Sequence, residues 1–187
     1  MPQTPFAELD HTAQLDLLEQ LTRTVLHEHY DIAGPAPTFE VQQFEDNAVW
    51  RVRAGDSSYV ARLSIRDGRP AHQQRSEMRW LESLAASGQV AVPEPVTTTI
   101  GHYVVPIEVP GHDQPATLAV LRWLHGTAEP PYRQPGVAAD MGAATAALHK
   151  RSSATGLRYR KVLVAPAKLA LRMRSGSSQL DSMLSGK

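Results

Sequence analysis

The strongest chemical suggestion in this sequence comes from a turn residue, a cation and a carboxylate on successive segments. Asn47 lies in Phe44-Glu45-Asp46-Asn47-Ala48-Val49-Trp50, Arg62 in Tyr59-Val60-Ala61-Arg62-Leu63, and Glu77 in Ser76-Glu77-Met78-Arg79-Trp80-Leu81. A cation facing inward from a strand neutralises phosphate oxygens, and a carboxylate on the helix that follows fixes the cation's rotamer. Such an order of strand, turn, strand, strand with cation, helix with anion suits a nucleotide-phosphate site. On residue types alone the plainer reading is different: Arg62 as a surface strand residue, Glu77 as a solvated helical acid and Asn47 as a turn former, since such pairs are common on α+β surfaces.

Other chemistries find little support. The sequence contains no G-x-S-x-G, no G-x-x-x-x-G-K-[ST] and no H-E-x-x-H. His27-Glu28-His29 comes nearest to a metal pattern, but residues two apart on a helix point to different faces, so it reads as a solvated helix end. His11, His72 and His102 read in the same way. With Cys 0 there are no disulfides, thiolate metal sites or cysteine nucleophiles.

The elements that must position Asn47, Arg62 and Glu77 follow from periodicity. Leu9, Leu15, Leu18, Leu21, Val25 and Leu26 recur at helical spacing from Glu8 to Tyr30, and Ala33-Gly34-Pro35-Ala36-Pro37 then breaks the pattern. Thr38–Phe44, Val49–Arg53 and Tyr59–Ile65 are rich in β-formers, with turn chemistry in Ala54-Gly55-Asp56-Ser57-Ser58, and predict a three-stranded antiparallel meander. After Asp67-Gly68-Arg69-Pro70 the spacing predicts a helix over 71–87, with Met78, Leu81, Leu84 and Ala85 on its apolar face and Gly88 ending it. Pro93-Glu94-Pro95 returns the chain to extended structure, and further strands are expected at Tyr103–Ile107 and Leu118–Leu124. Gly126–Pro135 reads as a connector and Val137–His149 as an Ala-rich helix. Val162–Ala165 is ambiguous between strand and helix, and Arg172–Lys187 has little periodicity.

A chain of 187 residues is long enough for one domain, or for one domain with an appendage. Its 19 basic and 19 acidic residues cancel, yet Lys150–Lys187 carries a run of Lys and Arg against one acid, Asp181. The preceding part is therefore acidic and the end basic, as expected of a tail with its own partner or of segments of different origin. Neutral overall charge gives no reason to expect nucleic acid as a partner, and the basic residues lack interleaved aromatics apart from Tyr159. The N-terminus lacks the basic and apolar regions of a signal peptide, and no long apolar run suggests a membrane span; the expected location is the cytoplasm.

Six segments, taken in order, resemble the aminoglycoside phosphotransferase and homoserine-kinase-like phosphotransferase enzyme family. They are Glu45-Asp46-Asn47-Ala48-Val49-Trp50-Arg51-Val52, Tyr59–Leu63, Ser76–Leu81, Val92-Pro93-Glu94-Pro95-Val96, Leu121-Arg122-Trp123-Leu124-His125-Gly126 and Met141–His149. The resemblance covers roughly Thr38 to Ser152. It implies an α+β, protein-kinase-like N-terminal lobe, with an antiparallel sheet of about five strands plus a helix, followed by the start of a helical C-terminal lobe. It also implies transfer of the terminal phosphoryl group of ATP to a hydroxyl of a small molecule. Under it, Asn47 sits in the loop over the phosphates, Arg62 takes the third-strand cation's place and Glu77 its helix partner's. Leu121 to Leu124, with Leu121 and Trp123 as cofactor-binding residues, would be the hinge strand whose backbone meets adenine. Arg62 presents a planar fork where a Lys would present a point charge.

Four segments are expected: a helical extension over 1–37, a nucleotide lobe over 38–125, a hinge and first helix of the second lobe over 126–152, and a basic, loosely ordered tail over 153–187. The family's phosphoryl transfer needs a His-x-Asp-x-x-x-x-Asn loop and a later Asp, the Asn and second Asp holding magnesium. Asn47 is the only asparagine; after the hinge only Asp140 and Asp181 remain, and His125-Gly126-Thr127 has Thr where Asp is required. The expectation is thus a truncated or frame-disrupted phosphotransferase, with no catalytic or metal-binding residue assignable, weak ATP contact at most and no turnover. The alternative expectation is a non-catalytic interaction module whose exposed inter-lobe face takes a protein partner or promotes aggregation.

Overall fold

The computed structural model describes residues 5–32, 36–65, 70–125, 139, 142–146 and 148–149. The expected connector at 126–135, the ambiguous 162–165 segment and the basic tail over 153–187 lie outside the described residues. The chain divides into two units, Met1–Ser83 with Pro93–Trp123, and Leu84–Val92 with Leu124–Lys187. Of the helix expected at 137–149, the described residues are helical.

In the first unit, a 3-10 turn at Phe6–Glu8 precedes helix α1, His11–His29. Asp10 caps α1, its Oδ1 accepting the Ala13 N–H at 2.8 Å, which satisfies one of the amides that a helix start leaves without an internal partner. Strands β1 (Thr38–Phe44), β2 (Asn47–Ala54) and β3 (Ser57–Ser64) form the expected antiparallel meander. Gly55, at φ 57°, makes the tight β2–β3 turn in a backbone region that side chains disfavour. Helix α2 runs Ala71–Ser87, and Gly88 stops it at φ 64°, its N–H returning to the Ala85 carbonyl at 3.0 Å.

The remaining strands are β4 (Pro95–Val96), β5 (Val104–Ile107) and β6 (Ala116–Arg122). The sheet has six strands in the order β1-β2-β3-β6-β4, with β5 also paired to β6. This agrees with the expectation of about five, the sixth being the two-residue strand that Pro95 and Val96 add opposite Leu121 and Val120. The last strand also ends sooner than the apolar run suggested: it begins at Ala116 and stops at Arg122, leaving Trp123 and Leu124 outside it.

Strand alternation divides the sheet into two faces. Ala48, Trp50, Val52 and Ala54 of β2, Ala61 and Leu63 of β3, and Leu118 and Val120 of β6 point to one face and join Leu18 and Leu26 of α1 in the core. Leu18 is 0% exposed, so α1 packs into the core of the unit. It is tied to β1 as well: Arg23 lies 4.0 Å over the Phe39 ring and donates to the Pro37 carbonyl at 2.7 Å. The opposite face carries Asn47, Val49 and Arg51 of β2, Val60, Arg62 and Ser64 of β3, and Thr117, Ala119 and Leu121 of β6, as the cross-strand pairs require.

Candidate nucleotide site

The polar face brings together two of the residues singled out from the sequence and places a third on the same surface. Arg62 sits mid-strand between Val49 and Ala119. Its Nη1 and Nη2 donate to Oε1 and Oε2 of Glu77 at 2.9 and 3.0 Å, a bidentate pair between β3 and α2. The side chains are 9% and 1% exposed. This overturns the plainer reading of both as solvated surface residues. Neither charge would be stable there alone, since an unpaired buried ion costs several kcal/mol; each is the other's main compensation. Met78, Leu81 and Trp80 bury the neighbouring positions of α2 and bring Glu77 inward with them.

The two terminal nitrogens of Arg62 are engaged end-on, and its Nε is buried with no acceptor among the described residues. A buried N–H without a partner is expensive and marks a place where an acceptor belongs. An anionic oxygen fits that donor, so the residues present suit a phosphate group at Arg62.

Asn47 opens β2 directly after the Glu45-Asp46 turn and faces Ser64 across the strands. Ser64 Oγ donates to Asn47 Oδ1 at 2.7 Å, and the Ile65 N–H donates to the Asp46 carbonyl at 3.2 Å. Asn47 is thus more than a turn former, because its side chain anchors the β1–β2 turn to the end of β3. Sequence reasoning did not find Ser64, although its place two residues beyond Arg62 on the same strand face was a usable signal.

Leu121 is fully buried on this face, opposite Val60. Trp123 lies just past the end of β6, and its N–H donates to the Ser58 carbonyl at 2.9 Å, as that of Arg122 does to the Glu94 carbonyl at 2.7 Å. Those two amides therefore hold the end of β6 in place rather than pointing donors at a ligand. Arg51, which the sequence did not single out as a site residue, stacks over the Trp123 ring with its guanidinium carbon 4.4 Å from the centroid. His27 and Glu28 are exposed and Glu28 Oε2 lies 3.9 Å from His29 Nε2, consistent with a solvated helix end.

A twisted antiparallel sheet with one helix bearing a buried carboxylate against a third-strand cation defines the N-terminal lobe of a protein-kinase-like fold. The chain belongs to the phosphotransferase enzyme family, whose sequence pattern matches residues 40–178. That match runs past Ser152 into the basic stretch, so the expectation that family resemblance ends there is corrected: the Lys and Arg excess begins within the family region. Among solved structures, the chain is similar to a microcompartment-associated aminopropanol kinase, at 25% identity and TM-score 0.55, over 71% of this chain and 40% of that one. It is also similar to an amicoumacin kinase solved with AMP-PNP and Ca2+, at 21% identity and TM-score 0.57, over 76% of this chain and 42% of that one. The chain thus spans less than half the length of these structures. The comparison with curated proteins found no match. No helix among the described residues is long and apolar enough to cross a membrane.

Proposed function

We propose that this chain provides the nucleotide-holding lobe of a kinase that moves a phosphoryl group from ATP to a small-molecule hydroxyl. The observation that carries the reading is the buried Arg62–Glu77 pair with an unsatisfied Nε, on the face that also presents Asn47. Arg62 holds a phosphate oxygen, Glu77 keeps the guanidinium oriented, and Asn47 with Ser64 fixes the turn over the phosphates. Leu121 and Val60 supply apolar surface on the same face, and Trp123 follows directly after β6. When bound, ATP supplies the phosphoryl group and a divalent cation neutralises its charge.

The same reading gives these 187 residues no phosphoryl transfer of their own. They contain no His-x-Asp-x-x-x-x-Asn sequence, and their one asparagine, Asn47, is committed through Oδ1 to Ser64. Among the described residues none is assigned as a base for the acceptor hydroxyl or as an Asn and Asp pair for magnesium, and the proposal is accordingly that this chain holds nucleotide weakly without transferring phosphate. Calorimetric titration with MgATP, together with a coupled ADP-release assay on aminoglycosides, homoserine and choline, tests both parts. Weak saturable binding without turnover is expected. Turnover by the purified chain would overturn the inactive half of the reading, and no binding of ATP at millimolar concentration would overturn the nucleotide half.

A further inference from the structure

Resting on the nucleotide reading above, we infer that Arg51 is a second nucleotide-positioning residue, acting on the nucleoside half of the ligand while Arg62 acts on the phosphates. The strand register puts Arg51 opposite Val60 and Arg62 opposite Val49, so the two arginines are diagonal neighbours on one face of β2 and β3. Such diagonal positions are about 7–8 Å apart. Both side chains carry the same defect: the Nε of each is buried without an acceptor among the described residues. Two unsatisfied N–H donors on one face of neighbouring strands suit a ligand with acceptors along its length, as a nucleotide has.

The rest of the Arg51 side chain is oriented towards the hinge end. Its guanidinium covers one face of the Trp123 ring at 4.4 Å, and Nη2 lies 3.5 Å from Ser58 Oγ. The Trp123 backbone is tied to the same residue through the Ser58 carbonyl. Trp123 is therefore held from two sides, by its own amide and by the plane of Arg51. An indole fixed in this way is a preorganised wall for a planar base, and less ordering entropy is lost on binding. A lysine at 51 would keep the charge but lose both the plane and the Nε donor.

The test uses the full chain and takes advantage of its tryptophans. Of the three, Trp50 and Trp80 are 0% and 1% exposed, so acrylamide-quenchable emission reports Trp123. MgATP is expected to protect that emission and inorganic tripolyphosphate is not. Arg51→Met, which keeps the alkyl stem, is expected to weaken ATP binding about 5- to 10-fold, the size of one lost hydrogen bond plus stacking, and to leave tripolyphosphate binding unchanged. Arg51→Lys is expected to remain as weak as Arg51→Met, and Arg62→Met to weaken both ligands.

The proposal is overturned if Arg51→Met binds ATP as tightly as the wild type, or if it weakens ATP and tripolyphosphate equally. It is likewise overturned if ATP binds the wild-type chain without protecting Trp123, a comparison that needs no variant to fold. In these outcomes ATP still binds and the nucleotide reading stands. Failure of the wild-type chain to bind either ligand would remove the reading and the inference together.

Discussion

The two faces of the sheet are built from the same strands and serve opposite ends. On the α1 side, Ala48, Trp50, Val52, Ala61 and Leu63 alternate with residues of the other face and form a continuous apolar core with Leu18 and Leu26. On the α2 side the intervening residues include Asn47, Arg51, Arg62 and Ser64, and Arg62 forms a buried ion pair with Glu77 of α2. The apolar face is stabilised by area removed from water, which is non-directional and tolerant of modest change. The polar face depends on directed bonds between specific partners, which suits a surface that must meet a ligand in one geometry. Substitutions on the first face therefore act on stability, and those on the second on stability and binding together.

The sharpest way to break the apolar face is Trp50→Ala. Trp50 is wholly buried, and the loss should be about 3–5 kcal/mol, read as a lower denaturant midpoint. An unchanged midpoint would mean that α1 does not seal this face. On the polar face, Glu77→Ala should cost about 3 kcal/mol, because it strands the Arg62 charge in a site that is 9% exposed. The double variant Arg62→Met, Glu77→Leu should recover most of that stability while abolishing ATP binding. No single or double change on the α1 side should separate the two properties in this way, so denaturation and titration of one set of variants compare the faces directly.

A smaller effect is expected from Ser64→Ala, which removes the bond to Asn47 Oδ1 and should cost about 1 kcal/mol. If the turn over the phosphates depends on that bond, ATP binding weakens by more than the change in global stability accounts for. The smallest effect at neutral pH belongs to Tyr30, whose hydroxyl is buried without a partner and whose phenol burial pushes well above its ordinary value near 10. A raised folded pKa means that the unfolded state loses its proton first. The contribution of Tyr30 is therefore present below about pH 10 and declines as pH rises from there towards the folded value. Tyr30→Phe should be close to neutral at pH 7 and should flatten the decline in stability above pH 10, measured by urea midpoints across that range.

Much of the fold was legible because its signals are local. The α2 boundaries at Ala71 and Ser87 follow from the Pro70 break, the apolar spacing of Met78, Leu81 and Leu84, and Gly88 beyond them. The meander followed from alternation and the Gly55 turn. Less legible was β4, since a two-residue strand that begins with a proline carries no period, and so was the early end of β6, where the apolar run continues through Trp123 and Leu124 after ladder pairing has stopped. Within the candidate site, residue types suggested Asn47, Arg62 and Glu77, but they could not distinguish a buried pair from two solvated charges. Arg51 and Ser64 were missed because their roles depend on cross-strand neighbours that are distant in sequence.

Determined by the sequence alone were the order of elements, the alternation that gives the sheet two unlike faces, and the presence of one cation and one carboxylate where a phosphate site would need them. Each rests on spacing within a few residues, which backbone geometry translates directly into direction. Only the tertiary structure decided that Arg62 and Glu77 close into a bidentate buried pair, that Asn47 answers to Ser64, and that the Trp123 amide is taken by Ser58 while its ring is covered by Arg51. Those contacts depend on register and on the seating of α2 against the sheet. They are set by the sum of many packing choices across the lobe, which no short stretch of sequence contains.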